Sequence, residues 1–281
     1  PADVPRLAQE MPWFEPNLDV RPLPDWETLP YDVLSPQEEL VSERLEALYR
    51  LTAPTGGADV LLTSAVTASQ RLSPVSYIGA NTFFFHQGEQ ISLTTLQKRL
   101  AAAGYANVKQ VLAAGEFAVR GSIVDVFPMG SERPFRLDFF DDEIESIRWF
   151  DVDTQRSMES AEEIRLLPGH EFPVDPEALL AFRQRWRREF AGDPKKSIVY
   201  CDIEKEILPP GIEYYLPLFF DETAALTDYL PPNARVFLLG DIEAALQAFG
   251  RDMASRYKVL AADPQRPALA PERIWLKPEE F

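Results

Sequence analysis

Two short acidic stretches are where this sequence could hold a metal-bound phosphate. LFFDETA (218–224) places Asp221 and Glu222 after an apolar run, the arrangement that positions magnesium in nucleotide-driven enzymes. VFLLGDIEA (236–244) repeats the apolar run and supplies Asp241, but Ile242 stands where the second acid is needed. Such chemistry also requires a glycine-rich cradle of backbone N–H groups and a lysine. The sequence has no G-x-x-x-x-G-K-[ST] and no Gly-Lys pair. Both sites are therefore read as helix N-termini capped by an aspartate, where a carboxylate accepts otherwise unpaired N–H groups. No catalytic residue and no cofactor or metal ligand is expected, and the chain is read as non-enzymatic.

The remaining chemistry-bearing residues are sparse. Cys201 is the only cysteine, so no internal disulfide can form and a reducing cytoplasm is the expected setting. His86 and His170 have no cluster of zinc-ligand spacing around them. RQRWRR (183–188) is the densest basic cluster; it could contact phosphates, or it could be the solvated face of a helix. The formal charge of −17 favours the second reading, because a strongly negative field repels a nucleic-acid backbone. Proteins are the expected partners. No apolar run is long enough to span a membrane.

FRLDFF (135–140) is the most informative stretch. If it is a strand, period-two alternation puts Phe135, Leu137 and Phe139 on one face and Arg136, Asp138 and Phe140 on the other. The first set is wholly apolar and should be core. The second exposes an aromatic plate beside an arginine, a combination enriched at binding hot spots. Arg120, on the preceding strand, could join this face across a hairpin. A cross-strand salt-bridge ladder with Phe140 half buried fits the same pattern, and alternation does not choose between them.

These residues need a scaffold. SPQEELVSERLEALYRL (35–51) reads as a helix capped by Ser35, with Pro36 at its first position and Leu40, Val41, Leu45, Leu48 and Leu51 on one face. ADVLLTS (58–64) reads as a buried strand, TFFFHQ as another, and Leu93 to Ala103 as a helix stopped by Gly104. From Glu116 an antiparallel meander is expected: EFAVRGSIVDVFP as one strand, FRLDFF and IESIRWFD as the next two around a DDE turn, and EEIRLLPG to close. Beyond a proline-rich joint the α/β pattern returns. A helix capped by Asp175 carries Leu179, Phe182, Trp186 and Phe190, and a strand at 234–240 leads into a helix from Ile242. The tail from 261 reads as a linker. The fold class is thus α/β, an interrupted α/β domain with an inserted α+β domain built on an antiparallel meander.

Three stretches carry a resemblance: LPDWETLPYDVLSPQEELVSERLEALYRL, GEFAVRGSIVDVFPMGSERPFRLDFFDDEIESIRWFDVDTQRS and LPPGIEYYLPLFF. They resemble the N-terminal portion of the transcription-repair coupling factors (the Mfd family), which is itself similar to the excision-repair protein UvrB. The resemblance implies a degenerate helicase-like α/β domain over 1–76 and 167–281, the latter including the C-terminal linker, and an inserted UvrA-binding domain over 77–166. It implies that Arg120, Arg136 and Phe140 belong to the surface that binds UvrA. It implies also that RNA polymerase and DNA are engaged only by domains outside this chain, and that this chain alone, expected to be a monomer, keeps the recruitment role.

Overall fold

A computed structural model describes residues 3–52, 57–277 and 279–280. The longer helices are α1 (Asp3–Phe14), α2 (Glu38–Thr52), α3 (Leu93–Ala102), α4 (Pro176–Glu189) and α5 (Ile242–Leu260). The fold is mixed α/β, and the chain divides into two units. One contains residues 3–36, 47–77 and 176–280; the other contains 37–46 and 78–175. Residues 37–46, the start of α2, thus count with the second unit.

In the first unit, β1 (Val20–Pro22) and β2 (Val60–Leu62) pair in parallel. β2 is half-buried rather than buried, because one neighbour covers only part of it. Leu179, Phe182 and Trp186 form the buried stripe of α4, spaced at three and four residues as one helical face demands. Trp186 packs with Tyr215 from the 3-10 segment Ile212–Leu218, and Phe182 with Phe219 directly after it. Trp26, Tyr31, Tyr214 and Trp275 make a second aromatic cluster.

Three sequence expectations need correction here. Ser35 does not cap α2. That helix begins at Glu38, and the Ser35 hydroxyl instead accepts from Gly211 N and donates to the Glu213 carboxylate. The tail is not a linker: Leu269, Ile274 and Trp275 are buried, and Tyr31 donates to the Leu269 carbonyl at 2.9 Å. The segment 234–240 is no strand. Among the described residues nothing pairs with it, and Val236, Phe237, Leu238 and Leu239 are all exposed.

The second unit is built on β3 (Phe83–His86), β4 (Ala106–Asn107), β5 (Glu116–Arg120), β6 (Ile123–Val126), β7 (Phe135–Phe140), β8 (Glu143–Phe150), β9 (Ser157–Ala161) and β10 (Glu163–Leu166). β4 to β9 form one six-stranded sheet in sequence order, antiparallel except for the parallel β4–β5 pair. The stretch read as one strand from Glu116 is a hairpin. Gly121 takes φ 63°, which lets a two-residue Gly121-Ser122 loop reverse the chain. β9 was not anticipated, and β10 leaves the meander to pair with β3. α3 lies where its spacing predicts, capped by Ser92, with Leu96 and Leu100 buried and Gly104 at φ 89° ending it.

A buried ion pair ties the start of α2 to the end of this unit. Arg44 Nε and Nη2 donate to the two Glu171 oxygens at 2.6 and 3.2 Å, with both side chains almost wholly inaccessible. Burying a charge is tolerable only when it is paired this closely.

Candidate partner-docking site on the meander

Alternation in β7 is as the sequence indicates on its apolar side. Phe135, Leu137 and Phe139 are buried, with Phe135 against Trp149 at a ring-centroid distance of 3.8 Å. Phe140 is 69% exposed, so the half-buried alternative does not hold for it. Its strand end is firmly held. Asp141 takes φ 52°, which aspartate tolerates in a turn, and the Asp141-Asp142 loop joins β7 to β8. The segment 88–91 braces that hairpin. Ile91 N donates to Asp142 O at 2.7 Å, Ile144 N to Glu89 O at 3.0 Å, and Gln90 Nε2 to the Glu143 carboxylate at 2.7 Å. Phe140 is therefore an apolar plate on a fixed tip, beside exposed Asp141, Asp142 and Glu143.

The two arginines are organised by a residue that sequence reading passed over. Asp125, in β6, stands directly opposite Arg136 in the register and is wholly buried. Arg136 grips it with a fork, Nε to Oδ1 at 2.7 Å and Nη2 to Oδ2 at 2.9 Å. Arg136 Nη1 donates to Gln155 O at 3.1 Å and Ser157 Oγ at 3.3 Å, and its guanidinium lies 4.9 Å from the centre of the Phe150 ring. The Arg136 side chain is only 13% exposed, so the expectation of an exposed arginine beside Phe140 is corrected. Its hydrogen bonds to Asp125 raise its pKa further, securing the positive charge. Arg120 Nη2 also donates to Asp125, while the Arg120 side chain remains 47% exposed.

Arg120 is not on the strand next to β7. β6 lies between, and the register places Arg120 in one row with Ile123 and Asp138. The two arginines thus meet at Asp125. Phe140 stands four residues beyond Arg136, about 13 Å along the strand at ~3.3 Å per residue. The signal for Asp125 was present in SIVDVF, a lone acid among β-branched residues, but only the register reveals its two cationic partners.

The other candidates have internal partners. Arg185 donates to Leu218 O, Phe219 O and Asp221, Arg183 pairs with Glu204 at 3.8 Å, and Arg187 stacks over Tyr200 at 5.4 Å. Asp221 is not a helix cap. The run before it is no strand, Leu218 ending the 3-10 segment and Phe219 capping it, and Arg185 beside Asp221 holds that carboxyl below the usual range. Asp241 does cap α5, accepting from Ala244 N at 2.9 Å. Cys201 is half-buried and His86 is exposed. His170 stacks on Phe172, and burial lowers its pKa to about 4. No helix among the described residues is long and apolar enough to cross a membrane.

Residues 83–172 match the family model described as the UvrB interaction domain, and the match contains Arg120, Asp125, Arg136 and Phe140. Across nearly its whole length the chain is similar to the transcription-repair-coupling factors. It is 44% identical to that of Escherichia coli (strain K12) over 98% of this chain, and 45% identical to that of Haemophilus influenzae over 93%. Against the factor of Bacillus subtilis (strain 168) identity is 32% over 71% of this chain. The chain spans about a quarter of the length of the first two relatives, at 24% and 23%.

Proposed function

We propose that this chain is the UvrA-recruiting module of a transcription-repair-coupling factor in bacterial excision repair, acting in the cytoplasm and without catalysis of its own. The observation that carries the reading is the fixed, 69% exposed Phe140 inside a stretch that matches the UvrB interaction domain. A large exposed aromatic on a braced hairpin offers apolar area at little ordering cost, and that is how interface anchors work. Arg120 adds a partly exposed cation, suited to a carboxylate on UvrA. Around Phe140 the acids Asp141, Asp142 and Glu143 call for basic residues at the rim of the receiving pocket.

In this reading residues 77–166 are the UvrA-binding domain, and 1–76 with 167–281 form a degenerate helicase-like domain. The segment with Asp221 and Glu222 holds no nucleotide, because no phosphate cradle accompanies them. Contacts with RNA polymerase and DNA, and any ATP-driven movement, belong to other parts of the relatives' length. Co-elution tests the reading: purified UvrA and this chain should emerge together from a sizing column, and the Arg120→Ala/Phe140→Ala variant should emerge separately. Separate elution of the parent chain at micromolar concentrations would refute it.

A further inference from the structure

Asp125 is buried, ionisable and held by two arginines that the docking reading assigns to the surface. We propose that Asp125 is a positioning residue of this surface. It fixes the Arg120 guanidinium before the partner arrives, and Arg136 acts through that frame instead of touching the partner. The inference rests on the docking reading above and concerns how its residues divide the work.

The hydrogen bonds carry the argument. A guanidinium has five N–H donors. Arg136 directs Nε and Nη2 to Asp125 and Nη1 to Gln155 O and Ser157 Oγ, so no free fork remains to grasp a partner's carboxylate. With 13% of its side chain exposed and its cation against Phe150, it supports the sheet face from within. Arg120 differs. It is anchored to Asp125 through Nη2 and is 47% exposed, with its other donors unengaged among the described residues. A long side chain normally loses much rotamer freedom when a complex orders it. Anchoring at Asp125 removes part of that freedom beforehand. Arg136 in turn keeps the carboxylate oriented for Arg120, since both arginines share Oδ2.

The test is a titration of UvrA against the parent chain and the variants Asp125→Asn, Arg120→Ala, Asp125→Asn/Arg120→Ala and Phe140→Ala. Asp125→Asn should weaken binding roughly tenfold although it is buried, and Arg120→Ala should cost much less in that background than in the parent. Independent, multiplying losses would overturn the inference, as would parent-like binding by Asp125→Asn while Phe140→Ala is weakened. Parent-like binding by both Phe140→Ala and Arg120→Ala would instead bring down the docking reading, and this inference with it. Melting curves check that each variant folds. Should Asp125→Asn unfold by stranding Arg136, Asp125→Asn/Arg136→Gln removes both charges and should show the same loss. NMR of the unmodified chain gives a readout without any substitution. Arg120 should show separately resolved Nη signals from hindered guanidinium rotation, and a freely averaged signal would overturn the proposal.

Discussion

Arg136 and Phe140 lie on the same strand and, by alternation, on the same face, yet they have different surroundings. Phe140 makes the tip of a hairpin, whereas Arg136 is covered and fully engaged. Phe140→Ala should therefore cost about 1–4 kcal/mol of UvrA binding with an unchanged melting temperature, as for a hot spot outside the core. Arg44 is the opposite case. Arg44→Ala removes the forked cationic partner of the buried Glu171 carboxylate, and urea unfolding should show a loss of about 3–5 kcal/mol. His170 gives a pH dependence. Burial lowers its pKa from the ordinary 6.5 to about 4, so the unfolded chain binds a proton first as pH falls. Stability attached to His170 is intact above about pH 6.5 and drains away towards pH 4. His170→Gln should flatten that part of a melting-temperature profile, and an unchanged slope would contradict the assignment. At this scale the sequence told the two faces of β7 apart, because alternation depends on one strand alone. Asp125 and the Arg44–Glu171 pair stayed hidden, because their burial depends on residues 11 and 127 positions away.

Helices were the easier elements to read. The buried stripes of α3 and α4 follow from local spacing and need no knowledge of what they pack against. Strands were harder, since a strand exists only through its neighbours. EFAVRGSIVDVFP divides at Gly121, and the apolar run at 234–240 has no strand partner among the described residues. That run bears on behaviour in solution. Val236, Phe237, Leu238 and Leu239 are 64–80% exposed, and an extended apolar segment with open backbone groups is prone to self-association. Phe237→Lys should raise the concentration at which this chain stays clear without lowering its melting temperature. Amide exchange at 236–239 should be fast, and strong protection there would contradict the unpaired assignment.

Taken whole, the molecule is an acidic scaffold that displays one braced hairpin tip. Its net charge of −17 and the internal pairing of Arg183 and Arg185 predict no duplex DNA binding at physiological salt. A salt-sensitive mobility shift at micromolar protein, lost when Arg183, Arg185, Arg187 and Arg188 become alanine, would contradict this. Charge and the absence of a Gly-Lys pair were visible in the sequence and already argued against nucleotide and nucleic acid as ligands. The resemblance to the coupling factors was visible too. The internal satisfaction of Arg136 was not, because it depends on the register that sets Asp125 opposite it and on Gln155 and Ser157, just before and at the start of β9, a strand with no apolar alternation to announce it. We propose that Phe140, on its fixed hairpin, anchors UvrA. Isothermal titration of UvrA into the parent chain and into Phe140→Ala tests it most directly. A saturable isotherm with the parent, weakened at least about fivefold by the substitution while the melting curve is unchanged, is the predicted result. Equal binding by the two folded proteins would contradict the account.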